Sequence, residues 1–164
     1  MNGVMGLPLH KNDWTGLPDE EGLLAAMKKA GVGAGQYMFP WTADPKLRSS
    51  PEFQQKCGDG PAGIMTVRRP GPVNIGSMLF QMVIYHLVVS VLVAYVAGRV
   101  LPHAQDYLAV FRVVGTTAAM AYAFGGVPMS IWYHFKWGFT FRFFVDGLVS
   151  GLLTAGVFGW LWPR

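Results

Sequence analysis

The most constraining feature of the sequence is a run of 29 residues, from Pro70 to Gly98, without a single Asp, Glu, Lys or Arg. Two further stretches near the C-terminus are almost as poor in charge. The hydrocarbon core of a bilayer is about 30 Å thick, and about 20 apolar residues span it as a helix. A helix is the economical way across, because lipid offers the backbone no hydrogen bonds. The sequence therefore predicts a membrane protein.

Charged residues are scarce and unevenly placed along the chain. They make up 13% of the sequence, against about 25% in soluble domains. Residues 1–69 hold eight Lys or Arg and seven Asp or Glu, whereas residues 70–164 hold five and two. The chain is therefore expected to divide into a polar extramembrane head, residues 1–72, and a membrane part, residues 73–164.

The membrane part contains three apolar segments of the length a bilayer requires, over residues 75–98, 113–132 and 143–162. Both connections between them are short, so consecutive helices should be antiparallel neighbours. The expected fold class is an all-α membrane protein, a bundle of three transmembrane helices with a small mixed α/β head at the N-terminus.

The head has its own local signals. Residues 18–30 begin with Pro and acids and end with lysines before Gly31, which is typical of a complete short helix. Residues 36–41 and 62–67 are two short β-compatible runs and form a possible hairpin. The polar stretch between them, residues 42–60, carries Pro45 and Pro51 and is expected to be a loop.

Small residues recur at four-residue spacing on all three predicted spans, and such rows let helices approach closely. We expect them to be the contact faces of the bundle. The positions are Ser90, Ala94 and Gly98 on the first span, Gly115, Ala119 and Ala123 on the second, and Gly147, Gly151, Ala155 and Gly159 on the third.

His86 is the candidate cofactor-binding residue, since it lies near the middle of the first span, one turn before Ser90. An ionisable group within the membrane is a functional hypothesis by default. It is expected to point into the bundle, where it could ligate haem or another metal or hydrogen-bond a quinone or pigment. The alternative is a neutral imidazole bonded to a neighbouring helix. The sequence itself requires no cofactor.

Arg142 and Asp146 are the other charged candidates, because they are four residues apart at the start of the third span. Side chains at this spacing lie side by side on a helix, so a local ion pair is expected. A proton-relay role is the alternative. Cys57, the single cysteine, offers neither an internal disulfide nor a metal-binding cluster.

No phosphate-binding loop, zinc-protease helix or serine-hydrolase elbow is present in the sequence, so we expect neither an enzyme nor a metal site. The net charge of +4 indicates no nucleic-acid partner, since basic residues of the membrane part lie at the ends of apolar runs, where cations meet lipid headgroups. The expected partners are the lipid bilayer and other integral membrane proteins.

Several short motifs, in this order, resemble a family of small, functionally uncharacterised bacterial inner-membrane proteins. They are Leu7-Pro8-Leu9-His10, Leu17-Pro18-Asp19-Glu20-Glu21, Gly35-Gln36-Tyr37-Met38-Phe39-Pro40, Gly60-Pro61-Ala62-Gly63 and Trp132-Tyr133-His134-Phe135. The resemblance covers most of the chain and implies a multi-pass protein of the bacterial inner membrane. Members of the family usually carry one more apolar helix just upstream of the first motif. The family assigns no activity.

Orientation depends on that upstream helix. With three spans alone, Arg68, Arg69 and Lys136 outnumber Arg99 and Arg164, and the positive-inside rule places the head in the cytoplasm. A fourth span upstream reverses this, so the resemblance implies a periplasmic head.

The sequence is compatible with two functions. The first is a non-catalytic accessory or structural subunit of a larger membrane complex, of a respiratory or photosynthetic type. The second is a cofactor-binding membrane protein that uses His86.

Overall fold

The computed structural model describes residues 10–163, and these divide into two compact units. The head unit is Thr15–Pro72. The membrane unit combines residues 10–14 with residues 73–163. The head unit ends at Pro72, and residues 10–14 belong with the helices and not with the head.

The head unit contains helix α1 (Glu20–Lys29), strand β1 (Gly35–Phe39), helix α2 (Pro51–Asp59) and strand β2 (Gly63–Val67). The strands pair antiparallel, with Tyr37 opposite Met65, as the hairpin prediction required. Helix α1 begins at an Asp19 cap, whose carboxylate accepts a hydrogen bond from the Gly22 amide at 3.0 Å. The predicted helix and hairpin are therefore both present.

The expectation of a loop over residues 42–60 is wrong. A 3₁₀ turn forms at Leu47–Ser49 and α2 follows it directly. The Ser50 hydroxyl caps α2 by accepting a hydrogen bond from the Phe53 amide at 3.2 Å, and Pro51 occupies the first helical position. A proline at the first helical position does not disrupt the helix, since the first amides of a helix have no hydrogen-bond partner inside it. Pro51 therefore starts this helix.

The membrane unit contains α3 (Ile75–Val100), α4 (Tyr107–Ala123), α5 (Val127–Tyr133) and α6 (Trp137–Leu161). They give three helical segments that are long and apolar enough to cross a membrane: Ile75–Val100, Tyr107–Tyr133 and Trp137–Leu161. The predicted fold class is confirmed, and the chain is an integral membrane protein. The second segment begins six residues earlier than expected, because Asp106 caps it by accepting a hydrogen bond from the Ala109 amide at 2.9 Å.

The second segment is interrupted where it was expected to be continuous. Helix α4 ends at Ala123, a 3₁₀ turn covers Phe124–Gly126, and α5 continues to Tyr133. Pro128 lacks the amide hydrogen that would bond the Phe124 carbonyl in a regular α-helix. The break turns α5 so that Ser130 meets α6, where its hydroxyl hydrogen-bonds that of Thr140.

The three segments alternate in direction, and contacts at one end of the unit show this. The Ala104 amide donates to the Pro163 carbonyl at 3.0 Å, and the Trp162 indole donates to the Pro102 carbonyl at 3.3 Å. The α3–α4 connection and the end of α6 therefore lie together. The α5–α6 connection lies at the other end.

Helices α4 and α6 are packed backbone to backbone along small residues. A Cβ atom added to Gly147 would lie 2.5 Å from Ala123 Cα, and one added to Gly151 would lie 2.9 Å from the Ala119 nitrogen. One turn further, a Cβ on Gly115 would lie 3.2 Å from Ala155 Cβ. We call this contact the α4–α6 seam. It brings together seven of the small residues named from the sequence: Gly115, Ala119, Ala123, Gly147, Gly151, Ala155 and Gly159, the last of which packs on Tyr107.

The prediction for α3 is wrong by one position. The row that α3 buries is Val89, Val93 and Ala97, which join the core formed with α4. Successive helical residues are about 100° apart, so the neighbouring row of Ser90, Ala94 and Gly98 turns away from that contact. Valine methyl groups fill the space between α3 and α4, and close backbone approach is not used there.

Candidate functional site

Four ionisable side chains meet where the segment His10–Trp14 lies against the first turns of α6. His10 and Asp13 come from the segment, and Arg142 and Asp146 come from the helix. We call them the polar quartet. Asp13 and Arg142 are 129 positions apart in the chain, and His10 and Asp146 are 136 positions apart.

Local structure on both sides positions these groups. In the segment, the Asp13 amide donates to the His10 carbonyl at 3.2 Å, which folds the two side chains toward the same helix. The Trp14 ring packs edge-on against the Phe139 ring of α6, with their centroids 6.1 Å apart. On α6, Arg142 and Asp146 are one turn apart and so face the same way. An aromatic contact thus flanks the charged one.

Asp13 is the centre of the quartet, and its side chain is only 1% exposed. Arg142 donates to Asp13 Oδ1 from Nε at 2.7 Å, and from Nη2 as well. His10 Nδ1 donates to the other oxygen, Oδ2, at 2.5 Å. Burial raises the pKa of Asp13, but the hydrogen bonds from Arg142 and His10 outweigh it and leave the pKa below its ordinary value of 3.8. Asp13 is therefore a carboxylate at neutral pH.

His10 bridges two carboxylates. Its Nδ1 bonds Asp13, and its Nε2 lies 2.8 Å from Asp146 Oδ2. A carboxylate only accepts hydrogen bonds, and a neutral imidazole has a single N–H to give. The observed pair of contacts is therefore satisfied when the site holds one more proton, as an imidazolium. The two carboxylates, the guanidinium and the imidazolium then sum to zero charge.

The predicted Arg142–Asp146 ion pair is wrong. Arg142 turns to Asp13 and Asp146 turns to His10, and no Arg142–Asp146 ion pair is present among residues 10–163. An exposed pair at this helical spacing stabilises by only about 0.2–0.5 kcal/mol. Charge-assisted hydrogen bonds to a buried carboxylate are stronger, so the longer-range partners prevail.

His86 lies at the border between α3 and α4 and is half-buried there, not enclosed by the bundle. Its Nδ1 donates to the Met82 carbonyl at 2.8 Å, and its ring lies 5.2 Å from the ring of Tyr122. The remaining nitrogen, Nε2, makes no hydrogen bond within the described part of the chain. It is therefore a fixed acceptor, and a metal ion or a donor group could use it.

The other candidates are placed apart. His103 lies in the α3–α4 connection and His134 ends α5, so neither pairs with His86 across the bundle. Cys57 belongs to α2 in the head unit. No group of three or more His, Cys, Asp or Glu suited to a metal ion is found within residues 10–163.

Most of α3 faces outward. Of its 26 residues, Val89, Val93 and Ala97 are buried. Ala94 and Gly98 are exposed, and a Cβ atom added to Gly98 would meet nothing within 4 Å. We call the row Ser90, Ala94 and Gly98 the open α3 seam.

The sequence reasoning missed His10 and Asp13. No signal in the sequence singles them out, because Arg142 and Asp146 lie four residues apart and each is a plausible partner for the other. Comparison with known protein families, curated proteins and solved structures found no match to this chain.

Proposed function

We propose that this protein is a non-catalytic accessory or structural subunit of a larger membrane complex, and that it docks through the open α3 seam. The observation that carries the proposal is the contrast between the helices. Small residues of α4 and α6 are in close contact, whereas Ala94 and Gly98 of the corresponding row on α3 are exposed, and a Cβ atom on Gly98 would meet nothing within 4 Å.

The physical basis is the way helices associate in lipid. Lipid chains are as apolar as leucine, so burial of apolar surface does not drive association there. Small residues instead let two backbones approach, and the close packing and weak hydrogen bonds that result stabilise the pair. A small-residue row facing outward is therefore typical of a helix that receives another helix.

A photo-crosslinking amino acid at Ala94 tests the proposal in the native membrane. We expect one discrete adduct with a different protein chain of the same membrane. The matched control is the same crosslinker at Leu92, which is also exposed and lies about 160° away around the helix. It should give lipid adducts alone. Gly98→Leu, in open space, should preserve the fold and abolish the Ala94 adduct.

Three results would contradict this proposal. Lipid adducts alone at both positions would mean that the open α3 seam is a lipid-facing surface. Identical protein adducts at both would remove the role of the small residues. An adduct between two copies of this chain would replace the accessory role with self-association.

His86 supports a second candidate function, the binding of haem, a quinone or a pigment. The favouring observation is that its Nδ1 is fixed by the Met82 carbonyl while Nε2 is left available. Histidines that ligate a metal commonly hold the other nitrogen in this way. A visible absorption band in the purified protein that disappears in His86→Ala would favour haem or pigment binding over a purely docking role.

A further inference from the structure

We propose that the polar quartet is a proton-dependent latch, in which one proton bound at His10 holds the segment His10–Trp14 on α6 and its loss releases the segment. This inference is independent of the accessory role. It concerns the start of α6, whereas docking concerns α3.

The number of hydrogen-bond donors determines whether both carboxylates of the quartet are satisfied. Asp13 accepts two hydrogen bonds from Arg142 and one from His10, and Asp146 accepts one from His10. Removing a proton leaves the imidazole with one N–H for two carboxylates. Either the 2.5 Å or the 2.8 Å contact then sets a nitrogen lone pair against a carboxylate oxygen. An attractive contact becomes repulsive.

Water can repair little of this loss on the Asp13 side of the ring. The Asp13 side chain is 1% exposed and that of His10 is 12% exposed, whereas that of Asp146 is 23% exposed. Unpaired buried polar groups are costly. The site also passes from zero charge to a net charge of −1.

Within residues 10–163, the charged groups that pair with the His10 ring are Asp13 and Asp146. Asp13 comes from its own segment, and Asp146 comes from α6. Arg142, also from α6, already bonds Asp13. Within residues 10–163, no other charged side chain is ion-paired with the quartet. The proton at His10 is therefore the variable one.

The segment ends at Trp14, and the chain continues into the head unit at Thr15. At low pH the segment is held on α6 by the quartet and by the Trp14–Phe139 contact. At high pH the segment is free of α6.

A distance measurement between two spin labels tests the latch in the full-length protein in phospholipid nanodiscs. The labels are placed at Asn12→Cys and Lys136→Cys, both exposed, in a Cys57→Ser background. Spectra are compared at about pH 5.5 and about pH 8.5, on either side of the range in which histidine changes charge. We expect one narrow distance distribution at the lower pH and loss of most of that population at the higher.

Two variants assign any transition to the quartet. In Asp146→Asn the amide can donate to the imidazole nitrogen, so the neutral ring is satisfied and the narrow distribution should persist at both pH values. In His10→Gln both N–H donors are on one nitrogen, so the side chain cannot bridge the two carboxylates as the imidazolium does. The distance distribution should therefore be broad at both pH values. His103→Gln, which alters an exposed histidine in the α3–α4 connection, should behave as the unmodified protein.

An unchanged distribution across this pH range in the unmodified protein would overturn the proposal. So would a transition that survives in His10→Gln or in Asp146→Asn, because it would then belong to another group. Narrow distances in Asp146→Asn at both pH values also show that this variant is folded, which separates release from unfolding.

Discussion

Gly147→Ala is expected to lower the free energy of unfolding of the membrane unit by about 3 kcal/mol, at the upper end of overpacking costs, although it adds a single methyl group. The new Cβ would lie 2.5 Å from Ala123 Cα and 2.6 Å from the carbonyl carbon and oxygen of Tyr122. These are backbone atoms, so no side-chain rotation relieves the clash. Helices α4 and α6 must move apart, which also disturbs the contacts at Gly151 and Gly115.

The higher helix propensity of alanine opposes this loss of stability, but its contribution is smaller. Alanine favours a helix over glycine by about 1 kcal/mol in water, and that gain does not offset a clash with a neighbouring backbone. The measurement is reversible unfolding in mixed detergent micelles, followed by circular dichroism.

Gly98→Ala and Gly156→Ala are the matched controls. A Cβ at Gly98 meets nothing within 4 Å, and one at Gly156 lies 3.8 Å from the Tyr107 hydroxyl. Both variants should be as stable as the unmodified protein or slightly more so. If Gly147→Ala unfolds at the same detergent composition as these two, the α4–α6 seam is not the closest packing in the protein.

Arg142→Gln is expected to detach the segment His10–Trp14 from α6. Asp13 would keep its charge and its burial but lose the guanidinium that bonds Oδ1. The remaining bond from His10 satisfies one oxygen only. Amide hydrogen exchange at Asp13, whose N–H bonds the His10 carbonyl, should accelerate by about tenfold or more, since hydrogen bonds to charged groups are among the stronger ones.

The acid dependence follows from the direction of the Asp13 pKa. That pKa is lower in the folded protein than its ordinary value of 3.8, so the carboxylate stabilises the attached segment fully above the ordinary value. The contribution is lost as the pH falls through the lower, folded value. In the unmodified protein the segment should therefore stay attached at pH values near 3.8, the ordinary pKa of Asp13, and be released only at lower pH.

Arg112→Gln is the control for Arg142→Gln, because Arg112 is an exposed arginine of α4 without an ion pair in the described part of the chain. It removes the same charge and should leave Asp13 exchange unchanged. Equal exchange rates in both variants and the unmodified protein would show that the arginine does not hold the segment.

Features encoded by neighbouring residues were predictable from the sequence. The three membrane-spanning segments follow from apolar length, and the hairpin follows from two β-compatible runs, as the pairing of Tyr37 with Met65 shows. Helix α2 was also encoded locally, by Ser50 and Pro51, but prolines in a polar stretch were interpreted as breakers. Pro51 stands at the first position of α2, where proline is tolerated, so this helix could have been predicted without knowledge of the tertiary structure.

The buried row of α3 and the polar quartet could not be predicted from neighbouring residues, for two different physical reasons. Choosing between Val89-Val93-Ala97 and Ser90-Ala94-Gly98 requires knowing which neighbour fills the space, because rows one residue apart differ by about 100°. Arg142 has a plausible partner four residues away, and its real partner is 129 residues distant. A local ion pair satisfies the pattern equally well, so only the folded chain identifies Asp13.

Labelling of single cysteines from one side of sealed vesicles tests the central claim, three membrane-spanning segments of alternating direction. In a Cys57→Ser background, cysteines are placed at Lys136 and Asn12, and separately at His103 and Pro163. A membrane-impermeant maleimide should label the first two from one face and the last two from the other. Labelling of Lys136→Cys and His103→Cys from the same face would contradict it, since the segment Tyr107–Tyr133 between them would then not cross the bilayer.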